Sequence, residues 1–184
     1  MNKGLFILTL CMSLLQISCV ENCKLKSKMA NFMKSEIMIP KDMESIFHDE
    51  VSIIDDNSLK PLKVIVYYDS LMCTSCKISG LSHFKPLCEM SDTSDFSILF
   101  IFSPRKSEME ITRLQLLIAN FDYPIYLDVN GTFARCNESI PNDSRFSCFL
   151  INSSNNPIFI GNPLRSQSLN RLFKDVIDET LNAI

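Results

Sequence analysis

Cys73 and Cys76 stand two residues apart in the stretch YYDSLMCTSCK, residues 67–77. Thiols at that spacing can supply half of a metal site, exchange electrons as a dithiol and disulfide, or brace the chain. A structural zinc site needs four ligands, usually as two spaced pairs. Here one CxxC is accompanied by only two histidines, His48 and His83, and His83 is expected at the surface. A c-type haem site requires His directly after the second cysteine, and Lys77 occupies that place. No metal site and no cofactor is therefore expected. As a brace, the bond closes so short a loop that it restrains the unfolded chain little. Electron exchange fits best, with one cysteine attacking as thiolate and the other resolving the mixed disulfide.

Such a pair needs an element that presents it. KVIVYY, 63–68, is a β-branched and aromatic run that reads as a buried strand. Helical spacing begins at Cys73 and continues through Leu81, Phe84 and Cys88, with Pro86 expected to kink or end the helix late. A strand turning into a helix places Cys73 at the positive end of the helix dipole, which favours its thiolate. Cys76 follows one turn later, and Lys77 adds positive potential. DFSILFIF, 95–102, is a second buried strand. Ser107 and Glu110 have the spacing of a capping box, opening a helix whose core stripe is Ile111, Leu114, Ile118 and Phe121. YPIYLDV, 123–129, reads as a third strand. SCFLIN, 147–152, and PIFIG, 157–161, flank the polar turn SSNN as a hairpin. A closing helix carries Leu169, Leu172, Phe173, Val176, Ile177 and Leu181 on one stripe. Upstream, a helix is expected around Lys26–Ser35 and a hairpin near Met38–Ile54, with Asp55 and Asp56 in a polar turn.

The order strand, CxxC, helix, strand, helix, strand, hairpin, helix resembles the thioredoxin fold. More narrowly it resembles the exported TlpA/ResA-type thioredoxins and related lipid-anchored bacterial domains. YYDSLMCTSCK and the late FSCFLINSSNNPIFIGNP carry this resemblance, which spans residues 61–184. It implies an α/β chain with a central mixed sheet, flanking helices and an N-terminal extension. It also implies a thiol–disulfide oxidoreductase, with Cys73 attacking and Cys76 resolving. Its partners would be exported proteins with disulfides and an upstream thiol reductant. Several positions depart from the family pattern. Met72 replaces the Trp before the first cysteine, and Tyr67 stands where a buried acid is usual. Asp69 is the nearest acid, read as a turn capper with a proton shuttle as the alternative. Phe146, beside Ser147, falls where the family has its cis-proline, and Pro141 lies five residues upstream. That departure keeps a second reading open: a thioredoxin-like binding module, or behind it a metal-handling protein, whose CxxC is vestigial or structural.

The remaining cysteines take blander roles. Cys88 reads as a small buried hydrophobe. Cys148 lies on the strand after Ser147, on a face that alternation alone does not identify. A Cys136–Cys148 bond, or Cys148 as an additional redox partner, stays open at this stage. Asn137-Glu-Ser and Asn152-Ser-Ser fit the glycosylation pattern.

The chain opens with Lys3, an apolar run from Leu5 to Ile17, then Ser18 before Cys19. This is the form of a secretory signal, shorter than the roughly 20 residues of a membrane span. Cys19 is the candidate lipidation site of a lipoprotein-type signal. The expected division is residues 1–18 as signal, 19–60 as tether and N-terminal extension, and 61–184 as the thioredoxin-like domain. The protein would then be exported and anchored to a membrane, facing the periplasm or cell envelope. A formal net charge of −3 and the lack of any basic block exclude a nucleic-acid partner. Four glycines and no Gly-rich signature leave no phosphate-cradling loop. No GxSxG or HExxH motif occurs.

Overall fold

Seven residues, Leu62–Tyr68, form strand β3, and every one except Lys63 is buried. Burial on both faces is the reason the run is continuously apolar rather than alternating. Phe96–Phe102 repeats this pattern as β4, paired in parallel with β3 from Leu62↔Phe96 to Tyr68↔Phe102. The computed structural model describes residues 23–48, 50–53 and 59–183. The signal region, Cys19 and the Asp55–Asp56 turn lie outside the described residues.

Around these two strands the sheet has seven members among the described residues. Glu44–Phe47 is β1, Glu50–Ile53 β2, Ile125–Leu127 β5, Cys148–Ile151 β6 and Pro157–Ile160 β7. Their spatial order is β2-β1-β5-β4-β3-β6-β7. β3, β4 and β5 run parallel; β1, β6 and β7 are each antiparallel to a neighbour. The helices are α1 (residues 23–32), α2 (Thr74–Ser79), α3 (Lys85–Thr93), α4 (Met109–Ala119), α5 (Thr132–Cys136) and α6 (Gln167–Leu181). Parallel neighbours require a long crossover, supplied by α2 and α3 between β3 and β4 and by α4 between β4 and β5. Among the described residues no helix is long and apolar enough to cross a membrane.

Alternation along the central strands sorts the core into two layers. Val64, Val66, Tyr68, Ile98, Phe100 and Phe102 face α2, α3, α4 and α6, meeting Ile78, Leu87, Leu116 and Phe173. Ile65, Tyr67, Leu99 and Ile101 face the other way, onto Phe32 of α1, Phe133 of α5 and Phe146. The expected upstream helix and hairpin both form, and both join this one sheet and core.

Five local expectations change. The helix after Cys73 is broken: α2 ends at Gly80, a 3-10 turn spans Leu81–Phe84, and α3 follows. Pro86 lies in the first turn of α3, where its missing N–H has no helical partner to lose. It therefore starts a helix rather than ending one. The Ser107–Glu110 capping box does not form. Lys106–Glu108 is a 3-10 turn, so α4 starts at Met109 with Glu108 at its cap and no side-chain capping bond. The stripe predicted for the core side of α4 is also reversed. Met109, Thr112 and Leu116 are buried, while Ile111, Leu114 and Ile118 are exposed. Arg113 sets this phase by pairing with Glu44 of β1 at 2.9 Å, and Phe121, beyond the helix, packs edge-on against Phe100 at 5.3 Å. On α6, Phe173 and Ile177 are buried, but Leu172 faces outward.

Candidate active site

The turn after β3 is built by Asp69. Its carboxylate accepts from the Leu71 N–H at 2.9 Å, and its carbonyl accepts from the Met72 N–H at 3.2 Å. This is an Asx turn, so Asp69 serves as the expected capper. Arg105 Nε donates to the Ser70 carbonyl at 3.2 Å and holds the same turn from the other side.

Cys73 is the N-cap residue of α2 and makes no side-chain capping bond. It is disulfide-bonded to Cys76 across a Cα–Cα distance of 5.3 Å, and both residues are exposed. The first turn of α2 holds no acidic residue. The backbone N–H groups there and the positive end of the helix both favour a thiolate at Cys73. Lys77 lies on the inner side of α2, its Nζ 5.5 Å from the centre of the Tyr68 ring. A cation–π contact thus holds its charge over the Tyr68 ring.

Phe146 and Ser147 reach this region through backbone contacts. The Tyr67 N–H donates to the Ser147 carbonyl at 2.8 Å, tying the segment before β6 to the end of β3. Tyr67, Asp69, Met72, Phe146 and Ser147 share the wall of one small cavity of about 110 Å³. Phe146 is itself a core residue, packed edge-on against Phe32 at 5.7 Å, and all peptide bonds among the described residues are trans. Its ring supports the site from within and is sealed from solvent. Asp143 sets the 3-10 turn that carries Phe146 by accepting from the Arg145 N–H. The Arg145 guanidinium bonded to Asp143 holds its carboxyl down at about 2.

Three residues not singled out in the sequence complete the surroundings. Ser103 Oγ donates to buried Asp128 Oδ2 at 2.8 Å. Burial pushes Tyr67 up to about 12. Gln115 of α4 accepts from Ser75 Oγ at 3.1 Å, directly inside the CxxC. Asp128 and Ser103 sit just past strand ends, where polar residues ordinarily face water, so nothing in their local pattern marks them. Gln115 lies on a helix whose phase the sequence does not set.

The other thiols stay out of this chemistry. Cys88 is buried as expected, and Cys148 is buried in the layer that faces the helices. Burial pushes both thiols up to about 12, so they remain neutral at ordinary pH. The Cys136–Cys148 bond is not formed: Cys136 is exposed, and both are free. A neutral buried thiol is also a poor redox partner, which removes Cys148 from that role. Asn137 is no glycosylation acceptor, since it is buried and its amide exchanges hydrogen bonds with the backbone of Met38 at 2.8 Å. Among the described residues no three His, Cys, Asp or Glu side chains cluster as metal ligands.

No protein-family model matches the chain, and no curated protein matches its sequence. Solved structures do match. A candidate protein disulfide isomerase from Bacteroides thetaiotaomicron aligns at 16% identity and a TM-score of 0.48, covering 81% of this chain and 91% of its own. The C-terminal domain of a candidate thiol–disulfide oxidoreductase from the same organism aligns at 16% identity and 0.43, over 79% and 99%. The bacterioferritin comigratory protein of Xanthomonas campestris aligns at 11% identity and 0.45, over 78% and 98%. With a parallel β3-β4-β5 unit, a closing β6–β7 hairpin and a CxxC at the β3–α2 junction, this chain has the thioredoxin-like fold.

Proposed function

We propose that this protein is a membrane-tethered thiol–disulfide oxidoreductase acting on exported proteins. The observation that carries this reading is an exposed Cys73–Cys76 pair at the start of α2, free of first-turn acids, while Cys88 and Cys148 are buried. In the reduced state, Cys73 thiolate attacks one sulfur of a partner disulfide. A mixed disulfide forms and one partner thiolate leaves. Cys76, deprotonated as it attacks, then displaces the second partner thiolate and closes Cys73–Cys76. The partner gains two electrons from the pair, one proton from Cys76 and a second from solvent, and the pair is left oxidised. An upstream dithiol returns it to the reduced state by the same exchange.

Tethering would come from lipid on Cys19 after removal of residues 1–18. Residues 19–60 would then form the tether and extension, and 61–184 the redox domain, facing the periplasm or cell envelope. The test is a redox titration in graded thiol buffers, with alkylation and mass spectrometry. A reversible two-electron transition confined to Cys73 and Cys76 is expected, and its midpoint separates reductant from oxidant. A pair that stays inert leaves the binding-module reading, which the trans-linked, buried Phe146 at the cis-proline position favours.

A further inference from the structure

We propose that the lysine-bearing face of α1 docks on an anionic lipid surface and lays the domain against the membrane. This rests on the tether reading of Cys19 and adds the surface by which the domain meets the bilayer. Lys24, Lys26, Lys28 and Lys34 lie in or just after α1 and all four are exposed, while Leu25, Met29 and Phe32 turn toward the core. In the sequence these lysines alternate with core residues, so no basic block stands out. The helix takes the apolar residues to one side and leaves the lysines together on the other.

The chain itself does little to neutralise this face. No acid occurs from Cys23 to Ser35, in a protein whose formal net charge is −3. Lys24 and Lys28 stand one turn apart, a spacing at which like charges destabilise a helix. Among the described residues no carboxylate pairs with Lys24, Lys26 or Lys34, and the Asp143 carboxylate near Lys28 is already bonded to Arg145. Arg145 and Arg165 share a cavity wall with Leu25 and Met29, so they extend the cationic surface beside α1.

Position in the chain supplies the partner. The four steps from Cys19 to Cys23 span at most about 14 Å. Lipid on Cys19 therefore holds the start of α1 within about two Debye lengths of the headgroups, where anionic lipid attracts lysine. α2 packs on the opposite face of the sheet from α1. Docking through α1 thus leaves the disulfide turned away from the bilayer, toward soluble partners.

The test uses the mature chain, residues 19–184, with Cys19→Ala so that no lipid contributes. Its sedimentation with vesicles of phosphatidylcholine alone is compared with vesicles containing roughly one-third phosphatidylglycerol. Binding to the anionic vesicles alone is expected, and it should weaken as salt is raised. Lys26→Gln should weaken it about fivefold, the equivalent of ~1 kcal/mol for one lysine at the surface. The double variant Lys24→Gln/Lys28→Gln should weaken it about 25-fold. Lys174→Gln makes the same change of charge at an exposed position of α6, in the other layer, and should leave binding unchanged. Equal binding to the two kinds of vesicle, binding to neither, or α1 variants that bind like the wild type overturn the proposal. Displacement by inorganic phosphate at constant ionic strength overturns it in favour of a site for the free ion. These outcomes are independent of the anchor, because the chain under test carries none. Failure of the tether reading shows instead as absent fatty-acid labelling of the full-length protein.

Discussion

Ser75, between the two cysteines, donates from Oγ to Gln115 Oε1 of α4 at 3.1 Å. The loop that holds the disulfide is thereby fastened to a helix from the next crossover, and α4 borders the site. Gln115→Ala should remove a net ~0.5–1.5 kcal/mol of stability, the value of one hydrogen bond that water can replace. Urea denaturation of the oxidised protein measures it. A loss above ~3 kcal/mol would mean that Gln115 does more than fasten this loop.

Thiol accessibility should divide the cysteines sharply. In the reduced native protein, alkylation is expected at Cys23, Cys73, Cys76 and Cys136, while Cys88 and Cys148 react only after unfolding. The buried pair also sets an alkaline limit. Burial raises both thiols from an ordinary 9.0 to about 12, so folding favours their protonated form. That stabilisation is complete below pH 9.0 and is lost as pH rises toward about 12. Cys148→Ala should flatten the fall in stability across this window, measured as thermal midpoint against pH.

Phe146 is a core residue lying directly behind the site. Phe146→Ala should cost ~3–5 kcal/mol through lost burial and the cavity left against Phe32. Calorimetry or guanidinium unfolding reports it. A cost under ~1 kcal/mol would place the ring outside the core and restore a role for it in direct substrate contact.

Lys77 follows Cys76 directly and carries its charge over the Tyr68 ring. Lys77→Met should slow alkylation of Cys73 in the reduced protein roughly two- to fivefold, the size of a single charge effect at a helix end. The alkylation rate at fixed pH gives the value. A smaller effect at high salt is expected, since the charge is screened.

The anchor is tested separately from the chemistry. Cys19→Ala should move the full-length protein from the membrane to the soluble fraction after cell lysis and abolish fatty-acid labelling. Retention in the membrane, with labelling intact, would remove lipid on Cys19 from the account.

The residue string alone determined the strand, turn and helix that present Cys73 and Cys76. An apolar β-branched run, an Asp in a short polar break and a change to helical spacing are local signals; the strand and the turn form as read, and the helix starts as read but breaks at Gly80. It likewise determined that KVIVYY and FSILFIF are central strands, because both runs have to be buried on both faces; the mixed order of the sheet is implied by the family resemblance. Tertiary structure alone decided the phase of α4. Apolar residues occur on nearly every side of that helix, so periodicity offers two stripes, and the sheet beneath Leu116 together with Glu44 beside Arg113 selects one. That choice turns Ile111, Leu114 and Ile118 outward. The same dependence on distant partners hid the burial of Asp128 beside Ser103, and it turned Cys148 toward the helices. Local sequence records what a residue prefers; which neighbour satisfies that preference is a property of the packed chain.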